Sequence, residues 1–374
     1  MPGVRFWADE VPRNPLAEVR RRTAHMPPVG LHAKMRNGRK IIETLALSGG
    51  GADGAFGAGV LAGWTKRGDR PEFEVVTGVS AGAIIAPFAY LGPSEDEKLR
   101  VIWTQYKQDQ VVTPEILSGL LGGPALASTA PLQDLIAQYI DRRFLDRIAA
   151  QYKRGRVLLV LTTNLDAQRP VVWNMGEIAL NRSPRATELF RQVILASAAI
   201  PAAFPPVKIE VEAGGRMYDE LHVDGGTTRE VFVSPVEAPL SAFNSLYPNP
   251  PLRRYFVIKN GKATPVQEVV TPTTLQIAAR SISTLIKSQN QGELYKIYRV
   301  ALDGGADFNF MAVPPSFRLQ TKELYDPHYQ AALYAEGLAE GQRNIWMKAP
   351  PGQAPVMPPA GSEVSSSAAM PGSG

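Results

Sequence analysis

The chain has 374 residues, 44% hydrophobic and 20% charged, which excludes wholesale disorder and allows a large core without covalent staples. It contains no cysteine, which excludes disulfides, a catalytic thiol and every thiolate metal site. Its 40 basic and 35 acidic residues intermix to a net charge of +5, weak evidence for an anionic membrane surface; no nucleic-acid partner is expected.

Residues 1–40 are rich in Pro and Arg, lack a clear period and read as an arm that lies on the surface or is partly ordered. They have no apolar h-region, so no signal peptide is expected. A strand over Ile42–Leu47 then runs into a glycine loop, Gly49-Gly50-Gly51-Ala52-Asp53-Gly54. A helix follows, its small residues allowing close packing, and ends near Gly68. Val75 to Ser94 carries no charge and is long enough to span a membrane. It begins β-branched and contains Gly78, Ser80, Gly82, Pro87 and Gly92, so it reads as a buried strand, turn and helix. Residues 95–150 read as mainly helical, with a Gly/Pro-rich break at 118–131. The continuous apolar run 156–164 predicts a central strand covered on both faces. Short strands are expected at VVWNM, VKIEV and MYDELHVD, with a helix over 185–199 that stops at Ile200-Pro201. A strand at 253–260, helices over 272–302 and 322–345, and the strand FNFMAV between them complete the pattern. Alternation of strands and helices predicts an α/β fold with a mostly parallel sheet. The Pro/Gly/Ser-rich tail, 346–374, is expected to be disordered.

Two of these turns carry chemistry. Gly49–Gly54 fits G-x-G-x-x-G, and glycines leave backbone N–H groups uncovered at a helix N-terminus. A tight packing turn, a dinucleotide cradle and an oxyanion hole are all open readings. The dinucleotide reading needs an acid at the end of the next strand, and Glu72 and Glu74 lie at its start. The second turn, Gly78-Val79-Ser80-Ala81-Gly82, matches the nucleophile elbow G-x-S-x-G between a strand and a helix. There the serine hydroxyl is exposed at the C-terminal edge of the sheet.

A serine nucleophile needs a base. Asp224 stands after a short strand, with Gly225 and Gly226 leaving room beside its carboxylate. The alternative is a triad in the order Ser80, Asp224, His328. The four histidines, His25, His32, His222 and His328, are scattered and give no zinc motif; His222 reads as structural. No metal or cofactor is expected.

Taken together, GGGADG (49–54), GVSAG (78–82), DGG (224–226) and LASAAIPAAFPPV (195–207) resemble the patatin-like phospholipase family over roughly residues 41–345. The resemblance implies a sheet sandwiched between helices and a Ser-Asp dyad without a catalytic histidine. It makes Ser80 the nucleophile, Asp224 the base, and the backbone around Gly49, Gly50 and Gly51 the oxyanion hole. Asp53, Gly54, Gly78, Gly82, Gly225 and Gly226 complete the motifs. The implied reaction is acyl-ester hydrolysis, of the phospholipase A or lysophospholipase type. With no signal peptide expected, a cytoplasmic protein peripheral to membranes is the default, and a trimmed export signal is left open. A protein activator is left open. Many members carry Arg or Lys at the position of Asp53, so an acid there weakens the case for phospholipid over a neutral ester; Asp53 is expected to cap the following helix. Phe56, Phe88, Ile200 and Phe204 are candidates for an acyl channel, and Arg20, Arg21, Arg22, Arg253 and Arg254 for contact with anionic lipid. A catalytically silent lipid- or partner-binding protein is the non-enzymatic alternative.

Overall fold

The computed structural model describes residues 3–352 apart from 12, 25, 112, 115–126, 235–237, 265–269, 271, 322 and 324. His25, residues 118–126 of the Gly/Pro-rich break and residues 353–374 of the tail lie outside the described residues. In chain order the strands are β1 (Arg5–Trp7), β2 (Met35–Arg36), β3 (Arg39–Leu47), β4 (Val75–Val79), β5 (Thr113–Pro114) and β6 (Ala127–Ser128). They continue as β7 (Val157–Asn164), β8 (Arg169–Asn174), β9 (Val207–Ala213), β10 (Arg216–Asp224), β11 (Leu252–Lys259) and β12 (Asp307–Ala312). The helices are α1 (Pro15–Thr23), α2 (Gly54–Arg67), α3 (Ala81–Leu91), α4 (Asp96–Thr104), α5 (Ala130–Tyr139) and α6 (Arg142–Lys153). After them come α7 (Met175–Leu180), α8 (Pro184–Ser197), α9 (Leu240–Asn244), α10 (Thr274–Asp303) and α11 (Pro327–Arg343).

Five parallel strands form the centre of the sheet in the order β7-β4-β3-β11-β12. Antiparallel strands extend it: β8 and then β1 beyond β7, and the β9–β10 hairpin against the C-terminal half of β7. The period of two along each strand splits the core between the faces. Leu45, Leu47, Val76, Leu158, Val160, Phe256 and Ile258 point to one face, beneath α2, α3 and α8. Tyr255, Val257, Phe308 and Phe310 point to the other, beneath α10. The sheet is therefore the middle of three layers, which explains why β7 is apolar from Val157 to Leu161 and buried along its whole length.

Residues 1–40 supply β1 at the sheet edge and α1, and they bury Val4, Ala8 and Val19. The uncharged stretch 75–94 is β4, the elbow and α3, and no described helix is long and apolar enough to cross a membrane. Helices α2 and α11 touch backbone to backbone: a Cβ on Gly59 would lie 2.2 Å from the Tyr334 carbonyl oxygen, and one on Gly337 2.2 Å from that of Phe56. Only glycine permits this approach, and it fixes α11 beside the start of α2.

Candidate active site

β4 ends at Val79 and α3 begins at Ala81, which leaves Ser80 to make the whole turn. Its φ of 54° and ψ of −122° lie outside the regions an L-residue favours, a strain of roughly 1–3 kcal/mol that surrounding contacts must hold in place. One such contact runs from the Ser80 N–H to Ser197 Oγ (3.0 Å), and that hydroxyl donates to the Leu161 carbonyl (2.7 Å). The turn is too tight for side chains around it. A Cβ on Gly78 would stand 2.4 Å from the Gly82 carbonyl oxygen, and one on Gly82 2.3 Å from that of Leu47.

Strand β7 acts as the ruler that brings Asp224 to Ser80. Its N-terminal half pairs with β4 up to Val79↔Leu161, and the next position pairs with β10 as Asp224↔Thr162. The end of β10 thus falls where β4 stops, and Ser80 Oγ donates to Asp224 Oδ2 at 2.6 Å. The other carboxylate oxygen accepts from the Gly226 N–H at 2.7 Å. Gly225 lies against the Leu161 carbonyl oxygen, which a Cβ would approach to 2.4 Å. Burial pushes the Asp224 carboxyl up to about 7; the bonds from Ser80 and Gly226 pull it down, and the nearby Glu230 charge raises it.

The glycine loop lies beside the elbow. A Cβ on Gly49 would be 3.1 Å from Ser80 Cβ. The Gly49 N–H is already committed to the Glu230 carbonyl (3.0 Å), which corrects the expectation that all three glycines offer donors. No described residue accepts from the N–H of Gly50 or Gly51, and Gly51 and Ser80 line one cavity of about 30 Å³. Ile84, Trp103, Leu132, Ile200, Phe204 and Tyr325 complete its wall. It has room for a water or two. Gly54, which begins α2, lies under the Trp103 ring.

Asn260, which the sequence reading did not single out, anchors this loop from the end of β11. Its Nδ2 donates to the Ser48 carbonyl (2.7 Å) and its Oδ1 accepts from the Gly57 N–H (3.1 Å). The sequence held a faint signal, an Asn-Gly pair closing a strand beside β3. Ser197 gave none, because its role depends on where α8 docks.

Several expectations need correction. Asp53 makes no side-chain cap to α2; its Oδ1 accepts from the Tyr329 hydroxyl of α11 at 2.6 Å. Phe56 and Phe88 belong to the core, Phe88 against Tyr139 and Phe144, and only Ile200 and Phe204 reach the cavity. Arg253 is buried with Nη1 on Asn244 Oδ1, and the half-buried Arg254 pairs with Glu43 and Asp307, so neither is an unpaired surface cation. Arg20 and Arg21 are exposed on α1, Arg21 paired with Glu18.

The remaining candidates lie apart from the dyad geometry. His222 is buried, its ring nitrogens bonded to Thr162 Oγ1 (2.9 Å) and Glu220 Oε2 (3.1 Å), with the Trp173 ring beside it. His32 and His328 are exposed, and the His328 N–H bonds Asp326 in the first turn of α11. With one Asp224 oxygen on Ser80 and the other on Gly226, no imidazole stands between nucleophile and carboxylate. Glu72 and Glu74 are at the far end of β4, bonded to Arg154 and to the Glu43 N–H respectively, so the acid of a dinucleotide site is missing from the loop edge.

The α/β sandwich thus brings a strained serine and a buried carboxylate into hydrogen-bond contact at the C-terminal edge of its parallel strands. The sequence profile of the patatin-like phospholipase family matches residues 45–237, just over half of the chain, and the chain belongs to that family. Membership supports lipid hydrolase activity. A search of curated protein sequences gives no match. Among solved structures, VipD from Legionella pneumophila is similar at 12% identity, over 83% of this chain and 69% of VipD, with a TM-score of 0.38. ExoU from the Pseudomonas aeruginosa type III secretion system, in its complex with SpcU, is similar at 16% identity over 81% of this chain, with a TM-score of 0.35. The chain spans about half the length of ExoU, 51%.

Proposed function

We propose that the protein hydrolyses fatty acyl esters of lipids through a Ser80–Asp224 dyad and an acyl-enzyme. The observation that carries this reading is the 2.6 Å hydrogen bond from Ser80 Oγ to Asp224 Oδ2, made by a serine at positive φ beside unoccupied loop N–H groups. In the first step Ser80 Oγ attacks the ester carbonyl carbon while its proton passes to Asp224. The carbonyl electrons move onto oxygen, facing the Gly50 and Gly51 N–H groups. Collapse expels the alcohol, which takes the proton from Asp224. Water then attacks the acyl-enzyme, giving its proton to Asp224, and collapse of the second tetrahedral species returns a proton to Ser80 and frees the fatty acid.

An ordinary aspartate is a poor base for a hydroxyl. Burial supports the role here by lifting Asp224 to about 7, near a working pH, where a general base is most effective. Two loop N–H donors add stabilisation of the oxyanion, each worth about 2.7–4 kcal/mol by analogy with known holes. Family membership favours a phospholipase A or lysophospholipase type of substrate, while Asp53 in place of a basic residue weakens the case for phospholipid over a neutral ester. A lipid substrate class implies that the protein works in contact with membrane surfaces.

The test is hydrolysis of soluble p-nitrophenyl esters and of phospholipid vesicles by wild type, Ser80→Ala and Asp224→Asn. Wild-type turnover of either substrate, lost in both variants, is expected. Absence of Ser80-dependent turnover on both substrates would overturn the reading in favour of a silent lipid-binding protein.

A further inference from the structure

We propose that the oxyanion loop is shaped from outside the family segment 45–237, by Asn260 and Tyr329 acting as positioning residues. The inference rests on the reading of Gly50 and Gly51 as oxyanion donors.

Asn260 is 1% exposed and uses its polar atoms on the two flanks of the loop. Before the loop, Nδ2 holds the Ser48 carbonyl (2.7 Å) and the backbone N–H donates to Ser48 Oγ (2.9 Å). The Ser48 hydroxyl in turn donates to the Gly49 carbonyl (2.6 Å). After the loop, Oδ1 receives the Gly57 N–H of α2 (3.1 Å). At the loop itself, the Asn260 carbonyl oxygen occupies the space of a Cβ on Gly50, 1.8 Å from its ideal position. One carboxamide therefore ties the strand end to the helix start, and the backbone beneath it sets how far Gly50 can sink.

Tyr329 grips the other end. Its hydroxyl donates to Asp53 Oδ1 at 2.6 Å, and its ring packs edge-on against Phe317 at 5.9 Å. Helix α11 cannot drift, because the glycine contacts with α2 lock the two backbones together. The free N–H groups of Gly50 and Gly51 thus lie between two anchors, one on β11 and one on α11. A hole needs its donors fixed before the charge develops, since reorganisation during the reaction forfeits the gain.

A purely structural role for these residues predicts lower stability and a proportionate loss of every ligand. A positioning role predicts a selective loss at the tetrahedral state. An alkyl trifluoromethyl ketone separates the two. Ser80 Oγ adds to its carbonyl carbon, the carbonyl electrons become an alkoxide facing the loop, the serine proton passes to Asp224, and nothing leaves. Free fatty acid serves as the ground-state ligand.

The experiment first confirms Ser80-dependent turnover of a p-nitrophenyl ester or of phospholipid vesicles by wild type; without turnover of either, the functional reading and this inference fall together. With it, Asn260→Ala and Asn260→Asp are measured for kcat, KM, melting temperature and affinity for both ligands. Asn260→Asp keeps the acceptor for Gly57 and loses the donor to Ser48. The expected result is a parallel fall of about 100-fold in kcat and in ketone affinity, the lower end of the loss of one oxyanion donor, with KM and fatty acid affinity held. Tyr329→Phe should show the same pattern at about fivefold, the equivalent of one hydrogen bond. If Asn260→Ala fails to fold, Asn260→Asp and Tyr329→Phe decide by the same readings. Unchanged ketone affinity, or equal losses for ketone and fatty acid, overturns the proposal while leaving the Ser80 reaction in place.

Discussion

The two halves of the site are built differently. The serine half is local: Gly78 to Gly82 contains the turn, and the backbone of the sheet delivers Asp224 by ladder register. The glycine half is a loop with little internal structure, held by side chains from β11 and α11. The lesson is that the serine turn is written within five residues, whereas the glycine loop is held by side chains more than 200 positions away.

The largest expected effect breaks the serine half. Ser80→Ala and Asp224→Asn should each lower kcat by at least about 10⁴-fold, as for members of other nucleophilic constellations, in steady-state ester hydrolysis. Gly50→Ala breaks the loop half instead. Its Cβ would meet the Asn260 carbonyl oxygen at 1.8 Å, so the loop must shift. A loss of about 100-fold or more in kcat, with the Ser80–Asp224 bond intact in a crystal structure of the variant, would show that the halves fail separately.

A pH series sharpens the comparison, because the proposed base, Asp224, belongs to the serine half. Asp224 acts in its ionised form, so kcat/KM should rise with pH through a midpoint of about 7. Glu230→Gln should move that midpoint down, since the Glu230 charge opposes ionisation of Asp224 and its partner Lys259 stays behind. Stability carries the opposite sign. The folded chain keeps a proton on Asp224 that the unfolded chain loses between its ordinary 3.8 and about 7, so wild-type stability falls as pH rises across that window. Asp224→Asn should therefore gain stability relative to wild type from pH 4 to pH 7 in chemical denaturation. The smallest effect is expected of His328→Ala, which should leave kcat/KM unchanged; a large loss would restore the triad.

The serine half was the legible one. Gly78, Ser80 and Gly82 sit in a strand–turn–helix whose hydrophobic pattern locates all three parts, and Asp224 is marked by a strand ending in two glycines. The glycine loop was visible as a loop, but its choice of donors was not. Gly49 loses its N–H to a carbonyl of Glu230, a contact across the fold that no local pattern encodes. Asp53 stood at the right position to cap α2, yet a tertiary partner, Tyr329, took its carboxylate. The paired arginines 253 and 254 looked like a surface patch because charge alone does not report burial. They lie on a strand flanked by others, where Asn244, Glu43 and Asp307 receive them.

The ruler formed by β7 ties the Ser80–Asp224 contact to the register of the β9–β10 hairpin. Positions on a ladder come in steps of about 3.3 Å, and a slip of one step turns the side chain to the opposite face. A hairpin out of step by one position would turn Asp224 away from Ser80. Partial loosening of β9 and β10 should lower the number of competent molecules and leave each survivor at full speed, so that burst amplitude, rather than burst rate, records the state of the hairpin.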